Sequence, residues 1–187
     1  MLQTLINNTK TDKNTIHSYL DTYNKVFERI KTSAQNVLEI GIHEGGSIKL
    51  WYDYFTNANI YGLDIIHINN VSNECKNNNR INLITSTDGY DEKIIKEKFI
   101  DKNIKFDMIM DDGPHTIESQ CFFAKHYSQL LSDCGILVIE DVQDMNWVKD
   151  ITNSFPEEFR NKIEIVDLRN IKNRYDDILI ILDKSKL

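Results

Sequence analysis

The sequence contains very little proline and no segment with the composition of a flexible linker. Only Pro114 and Pro156 occur among its 187 residues, and its seven glycines do not form a glycine-rich stretch. We also find no internal repeat. A chain of this length without linkers or repeats is expected to form one domain with a full hydrophobic core.

The sequence also lacks a CxxC pair and any Cys/His cluster at zinc-binding spacing. Its three cysteines, Cys75, Cys121 and Cys134, lie far apart in the chain. We therefore expect free thiols in a reducing compartment, which indicates a cytoplasmic protein.

Long apolar runs and excess positive charge are missing as well. No apolar stretch approaches the ~20 residues that a membrane span needs, and the N-terminal "MLQTLINNTKTDKN" lacks the features of a secretion signal. The 22 basic residues are outnumbered by 29 acidic ones, which gives a net charge of −7 and a pI of about 5.2. This balance argues against nucleic acid or an anionic membrane as a partner.

What the sequence does contain is a regular alternation of strand-like and helix-like segments. The predicted strands are "NVLEIG", "NIYGLDI", "INLITS", "FDMIMDD", "GILVIED", "KIEIVDL" and "DILIILD". The predicted helices are "TIHSYLDTYNKVFERI", "GGSIKLWYDYF", "YDEKIIKEKFI", "TIESQCFFAKHYSQLL" and "MNWVKDITNSF". Five alternations predict a doubly wound, mostly parallel sheet with helices on both faces. Since only a polar loop joins the last two strands, we expect them to be antiparallel.

The first strand leads into a glycine-containing turn that suits a nucleoside ligand. In "LEIGIHEGGS", Glu39, Gly41, Gly45 and Gly46 precede a helix that begins near Ser47, and glycines there allow close approach of a ligand. Asp64 ends the next strand, where an acid can accept hydrogen bonds from ribose hydroxyls. The pattern suits a cofactor with an adenosine and no diphosphate; the alternative is a tight turn beside a solvated aspartate.

Three carboxylates follow the fourth and fifth strands, where ligands bind in open α/β sheets. Asp112, Glu140 and Asp141 would repel one another unless a cation or protons neutralise them. Mg²⁺ is the natural candidate because it prefers hard oxygen ligands. Glu140 and Asp141 can both reach one ion only if the strand ends and twists there. The alternative is a solvated acidic rim without metal.

A histidine follows Asp112 by three residues, across Gly113–Pro114. Gly–Pro indicates a turn, so the imidazole of His115 can fold back toward the carboxylates. Histidine is the usual general base at neutral pH. A metal together with this base would activate a sugar-like hydroxyl as a nucleophile. The alternative role for His115 is that of a turn or helix-capping residue.

Taken together, these motifs resemble those of class I S-adenosylmethionine-dependent methyltransferases with a Rossmann-like, seven-stranded sheet. More narrowly, "TDKNTIHSYLDTYNKVFERI", "FDMIMDDGPHT", "LLSDCGILVIEDVQD" and "NRYDDILIIL" resemble segments of the metal-dependent macrolide-sugar O-methyltransferases of the mycinamicin and tylosin type, and of the related cephalosporin hydroxylase-like family. The combination of "DDGPH" with the later "ED" is the most specific part of this resemblance.

The resemblance implies a Mg²⁺-dependent O-methyltransferase whose domain spans residues 1–187, with residues 1–35 as an N-terminal helical segment. It assigns His115 as catalytic base and three acids as metal ligands, namely Asp112, Glu140 and Asp141. The cofactor residues are Glu39, Gly41, Gly45, Gly46, Ser47, Asp64, Thr87, Asp88 and Asp111.

The implied substrate is a sugar or a sugar-bearing small molecule. Two other functions stay open, a metal-dependent hydroxylase-like enzyme and a non-catalytic Rossmann-like binding module. Homo-oligomerisation stays open too. Lys13, His17 and Tyr19 either form a lid over the cofactor or simply begin the first helix.

Overall fold

The computed structural model describes residues 1–186, and within them seven strands form one sheet. The strands are β1 (Asn36–Ile40), β2 (Asn59–Leu63), β3 (Ile81–Ile84), β4 (Phe106–Asp111), β5 (Leu131–Ile139), β6 (Ile163–Asp167) and β7 (Ile178–Asp183). The α-helices in these residues are α1 (Leu2–Leu5), α2 (Leu20–Phe27), α3 (Gly46–Tyr54), α4 (Asn73–Lys76), α5 (Glu92–Ile95), α6 (Ile117–Tyr127), α7 (Trp147–Ser154) and α8 (Arg169–Lys172). Across residues 1–186, no helix combines the length and apolarity that crossing a bilayer requires.

The strand order is β3-β2-β1-β4-β5-β7-β6, which confirms the predicted doubly wound α/β sheet. Strands β1 to β5 pair in parallel, whereas β7 runs antiparallel to both β5 and β6. The order reverses between β1 and β4, and ligands of open α/β sheets bind at such a switch point beyond the carboxyl ends of the strands. The topology therefore directs attention to the ends of β1 and β4.

Two hydrophobic clusters cover the two faces of the sheet. Because successive strand residues point to opposite sides, Met108 and Met110 of β4 belong to one cluster while Ile109 belongs to the other. The first cluster packs α2 and α3 on the sheet through Phe27 and Trp51, whose rings meet edge to face. The helices on both faces thus leave the carboxyl edge as the open side of the sheet.

The first long helix begins later than its apolar periodicity predicts. We expected a helix over residues 15–30, but α2 begins at Leu20, and residues 13–16 form a turn. Ile16, part of the predicted apolar stripe, is 47% exposed. The difference has a tertiary cause: Lys13, His17 and Tyr19 direct their side chains into the acidic edge of the sheet, which a continuous helix would prevent.

Candidate active site at the carboxyl edge of the sheet

A cavity of about 1160 Å³ opens beyond the ends of β1, β2 and β4. This volume slightly exceeds the usual range for small-molecule sites, about 300–1,000 Å³, so the cavity has room for a nucleoside-sized ligand and an acceptor. Its walls come from the glycine turn, the ends of the strands, the start of α6 and the N-terminal segment. The lining includes Asn8, Thr9, Lys10, Thr11, Asp12, Thr15, Ile16, Gly41, His43, Gly46, Ser47, Asp64, Asp88, Tyr90, Asp112, Pro114, Thr116, Ser119 and Phe122.

The backbone along this edge is strained at several positions. A φ between 45° and 54° occurs at His43, Ser86, His115 and Asp141. This is the left-handed region of backbone conformation, which residues other than glycine seldom adopt. Residues held in such conformations cluster at functional sites, where the surrounding structure over-determines them. In particular, β5 ends at Ile139, and Asp141, two residues later, has a φ of 53°.

The carboxylate of Asp64 is held by backbone amides of neighbouring loops. Its Oδ2 accepts hydrogen bonds from the N–H groups of Ile42 (2.7 Å) and His43 (2.9 Å), and its Oδ1 accepts one from Ile66 N–H (3.1 Å). These bonds fix the turn after β1 against the end of β2. Asp64 also lines the cavity, where its remaining lone pairs can accept bonds from a ligand.

Glycine is required at two positions of the turn because other backbone lies against it. At Gly41, which has a φ of +83°, a Cβ would lie 1.9 Å from the carbonyl oxygen of Asp112. At Gly46, a Cβ would lie 1.9 Å from the carbonyl oxygen of Lys10. The glycines therefore bring together the ends of β1 and β4 and the N-terminal segment, in addition to bordering the cavity.

The acids predicted to bind metal fall into two overlapping groups that share Asp112. One group contains Asp112, His115 and Asp141, and the other contains Glu39, Asp112 and Glu140; in each, potential ligand atoms lie within 4.8 Å of one another. Both groups sit at the ends of β1, β4 and β5.

The second group contains a cation supplied by the chain itself. The ammonium of Lys13 donates hydrogen bonds to Asp112 Oδ2 (2.7 Å) and to Glu140 Oε2, and it lies 3.6 Å from Glu39 Oε1. The Lys13 side chain is only 2% exposed. Burial alone lowers the pKa of Lys13, but attraction to Asp112, Glu140 and Glu39 outweighs burial and leaves this pKa well above its ordinary value. Lys13 is therefore positively charged.

Three more side chains from the N-terminal part of the chain bind these acids. Tyr23 donates to Glu140 Oε1, and Tyr19 donates to Asp141 Oδ1. His17 Nδ1 lies 2.7 Å from Asp177 Oδ1 and 3.3 Å from Asp141 Oδ1. Burial and the adjacent carboxylates raise the pKa of both tyrosines, so both remain protonated donors.

The acids themselves hold protons more tightly than in water. Burial raises the pKa of Glu39 to about 7 although Lys13 opposes the rise, and burial likewise raises the pKa of Glu140 and Asp141. Asp111 lies beneath the cavity floor, where burial raises its pKa to about 7 although a hydrogen bond from Tyr90 opposes this. A site with this much buried negative charge is suited to binding positive charge.

The imidazole of His115 faces the first acidic group. Its Nε2 lies 3.5 Å from Asp141 Oδ2 and 3.7 Å from Asp112 Oδ1, and the side chain is 24% exposed. Thr116, not His115, caps helix α6: its side chain accepts a hydrogen bond from Ser119 N–H in a reciprocal capping box. His115 is thus free of the capping role and is aimed at the carboxylates.

The structure places the predicted cofactor residues at different depths. Gly41, Gly46, Ser47, Asp64 and Asp88 line the cavity, whereas Glu39 is fully buried behind it and accepts a hydrogen bond from Ser47 Oγ (2.6 Å). Gly45, Thr87 and Asp111 also do not border the cavity among the described residues. Sequence reasoning missed the contributions of Tyr23, Tyr90 and Asp177, and it left the roles of Lys13, His17 and Tyr19 open.

The donor set suits one divalent cation. Asp112 and Asp141 offer hard carboxylate oxygens that are still partly exposed, by 26% and 14% of the side chain, and His115 stands beside them. Mg²⁺ prefers such oxygens and retains water in its remaining positions. Glu140 is almost completely buried and already accepts hydrogen bonds from Lys13 and Tyr23.

Comparison with known proteins gives a consistent picture. No family model matches the sequence. A structure of the MycE methyltransferase from the mycinamycin biosynthetic pathway, in complex with Mg, SAH and mycinamycin VI, superposes with a TM-score of 0.72 and 20% identity; the match covers 97% of this chain and 54% of that one. The fold is that of a class I methyltransferase. A putative rRNA-methylase from Clostridium thermocellum shares this methyltransferase fold at a TM-score of 0.66 and 16% identity, over 90% of this chain and 98% of that one.

Two curated relatives are sugar O-methyltransferases. The 8-demethyl-8-alpha-L-rhamnosyl tetracenomycin-C 2'-O-methyltransferase of Streptomyces olivaceus is 26% identical over 144 residues, which cover 73% of this chain and 36% of that protein. The mycinamicin VI 2''-O-methyltransferase of Micromonospora griseorubida is 26% identical over 140 residues, 71% of this chain and 33% of that protein. The chain thus matches about a third of the length of these relatives. The resemblance expected from the motifs is confirmed.

Proposed function

We propose that this chain carries the methyl-transfer site of an O-methyltransferase that uses S-adenosylmethionine and Mg²⁺ and methylates a hydroxyl of a sugar or sugar-bearing small molecule. The observation that carries the proposal is the convergence of Asp112, Asp141 and His115 beside a cavity at the switch point of a methyltransferase fold. The similarity to sugar O-methyltransferases supports the choice of acceptor.

The residues divide the work between two sides of the cavity. Asp64, Asp88 and the turn from Gly41 to Gly46 would bind the cofactor, and Asp112 with Asp141 would hold the metal, with Glu140 as the third predicted ligand behind them. When bound, S-adenosylmethionine supplies an electrophilic methyl group and Mg²⁺ lowers the pKa of an acceptor hydroxyl.

His115 would accept the proton of that hydroxyl at Nε2, the atom that faces both carboxylates. Asp112 Oδ1 and Asp141 Oδ2, which lie 3.7 and 3.5 Å from Nε2, would keep this atom turned toward the acceptor. Residues 8–12, 15 and 16, which line the cavity, would keep water from the reacting atoms. Correct placement of acceptor and donor in one cavity supplies much of the acceleration in such reactions.

The proposal also covers the domain organisation and the cellular compartment of the protein. We propose that residues 1–187 belong to a single domain, with residues 1–35 as its N-terminal segment, and that the protein acts in the cytoplasm on a small molecule. The net charge of −7 supports a partner other than nucleic acid or an anionic membrane.

The test is transfer of a labelled methyl group from S-adenosylmethionine to a panel of sugars, nucleotide sugars and glycosylated small molecules, with Mg²⁺ or with EDTA. The proposed function predicts a methylated sugar hydroxyl, no product in EDTA, and no requirement for oxygen. A product that forms only when oxygen is present would instead indicate a hydroxylase. Failure to bind S-adenosylhomocysteine would favour a non-catalytic module.

The base assignment is tested by His115→Ala. Loss of a general base typically costs about 10²–10⁴-fold in rate, so we expect turnover to fall by that factor while affinity for S-adenosylhomocysteine is unchanged. His126→Ala is the matched control, because His126 lies on α6, where it pairs with the exposed Glu92 and stacks on Phe122. Full turnover in His115→Ala would remove the proton-transfer role from this residue.

A further inference from the structure

The predicted metal ligands are not equivalent in the folded chain, and the difference lies in Lys13. Asp112 and Glu140 both accept hydrogen bonds from its ammonium, whereas Asp141 is bound by Tyr19 and lies near His17 and His115. One side of the acidic cluster therefore already contains a full positive charge.

Lys13 is placed there by a specific local structure. The chain forms turns before α2, with Ile16 N–H and His17 N–H both donating to the carbonyl of Asp12 (3.0 and 3.1 Å). Lys172 of α8 fixes the same segment from outside, donating to the carbonyls of Asn14 and His17, the latter at 2.7 Å. The lysine is thus held from both directions and cannot swing out to solvent without disrupting these bonds.

More carboxyl groups than ammonium groups lie around Lys13. Within hydrogen-bond or ion-pair distance of its ammonium lie three carboxylates, those of Glu39, Asp112 and Glu140. Glu39 Oε1 is buried and has no hydrogen-bond partner among the described residues. Burial raises the pKa of Glu39 and Glu140, and at any given protonation of these acids the group is more negative without the ammonium than with it.

We propose that Lys13 is a positioning residue that serves as the resident cation of Glu39, Asp112 and Glu140 and thereby weakens divalent-cation binding at the acidic cluster. This inference rests on the proposed function, since it concerns the Mg²⁺ ion of that site. Two of its partners, Glu39 and Glu140, are buried, whereas Asp112 keeps 26% of its side chain exposed and lies with Asp141 beside His115, next to the cavity.

The test compares Mg²⁺ binding to the EDTA-treated wild type and to Lys13→Met by calorimetry and by the Mg²⁺-induced shift in melting temperature. Removing a positive charge a few ångströms from the ligands should tighten Mg²⁺ binding by at least about tenfold. Lys96→Met is the control: Lys96 pairs with Asp101 on the surface, so its removal should leave Mg²⁺ affinity unchanged.

A second variant tests whether charge is the cause. Lys13→Met/Glu39→Gln removes one positive and one negative charge from the group, so its Mg²⁺ affinity should return to within about threefold of the wild type. If Lys13→Met does not fold in EDTA, recovery of folding by Mg²⁺ or by the Glu39→Gln change supports the proposal. Failure of both to restore folding overturns it.

The outcomes separate this inference from the proposed function. Mg²⁺ binding by Lys13→Met alone, with none by the wild type, supports the role of Lys13 and contradicts the Mg²⁺ requirement. Equal or weaker Mg²⁺ binding by a folded Lys13→Met overturns the role of Lys13 and leaves the methyltransferase proposal standing. A purely structural lysine would lower the melting temperature without changing Mg²⁺ affinity.

Discussion

The two halves of the carboxyl edge, at β2 and at β4–β5, supply hydrogen-bond donors to their acids in different ways. On the β2 side, Asp64 accepts hydrogen bonds from three backbone N–H groups, the most distant of which lies 22 residues away in the sequence. On the β4–β5 side, Asp112 and Glu140 are bound by the Lys13 side chain, from which they are separated by 99 and 127 residues. One half is built locally, and the other exists only when distant parts of the chain have met.

The difference has an energetic consequence. Backbone amides of a turn are available wherever the turn forms, so Asp64 and its loop stabilise each other with little dependence on the remaining fold. The acids of the β4–β5 side are buried, and removing one partner leaves an uncompensated buried group, which is the costly way to break such a pair. Substitutions in the N-terminal segment should therefore be felt at β4 and β5 more than at β2.

Apart from substitutions of Lys13, the largest effect on stability is expected for Tyr23→Phe. Tyr23 is fully buried and donates to Glu140 Oε1, and leaving a buried acceptor without its hydrogen-bond partner costs about 2 kcal/mol. We expect the free energy of unfolding, measured in urea, to fall by that amount. Tyr54→Phe is the matched control, because Tyr54 makes only a 3.5 Å contact with Glu28 Oε2. Equal losses in both variants would contradict the special role of Tyr23.

A double variant sharpens the comparison. Asp64→Asn should cost about 1 kcal/mol by weakening a charge-assisted set of hydrogen bonds. Because Asp64 and Tyr23 share no partner, Tyr23→Phe/Asp64→Asn should lose the sum of the two effects to within about 0.5 kcal/mol. Tyr23→Phe combined with Lys13→Met should not be additive, since both residues bind Glu140. Coupling between Tyr23 and Asp64 would show that the two halves are not independent.

The smallest effect is expected at the exposed end of the sheet, where Arg29 pairs with Asp183. Partial burial raises the pKa of Asp183, but hydrogen bonds from Ser185 and the charge of Arg29 outweigh it and hold the pKa below the ordinary value of 3.8. A lowered acid pKa stabilises the fold above pH 3.8, and this contribution is lost as the pH falls through the lowered pKa.

Arg29→Met should therefore lower the free energy of unfolding by about 0.5 kcal/mol at pH 7, a value typical of exposed pairs. The difference from the wild type should shrink as urea titrations are carried to lower pH across the pKa of Asp183. A loss as large as that of Tyr23→Phe would mean that a surface pair matters as much as the buried cluster.

The same division explains what could be predicted from sequence. The strands, the antiparallel last strand and the glycine turn depend on local patterns, namely period-2 burial, turn residues and short connections. The position of the acids at the edge follows from topology alone. The strands and the turn can therefore be read from residues close together in the sequence, and the position of the acids from the order of the strands.

The role of Lys13 could not be predicted in this way. "TKTDKNTIHSY" is polar, and a lysine in such a segment is usually exposed, so the local pattern left open whether Lys13 belongs to a lid over the cofactor or begins the first helix. What overrides it is long-range: several carboxylates end adjacent strands, and the buried ones need positive charge. The signal in the sequence was the excess of acids over nearby bases at the predicted edge, which calls for a basic group from elsewhere.

The position of β7 has a consequence for how the molecule forms. The last strand in the chain lies between β5 and β6 rather than at the border of the sheet, so β6 has no place to pair until Ile178–Asp183 arrives. Asp177, which binds His17, comes with it. During synthesis on a ribosome, β6 would therefore wait for β7, and the arrival of β7 would join β6 to the sheet and bring Asp177 to the acidic edge in one step.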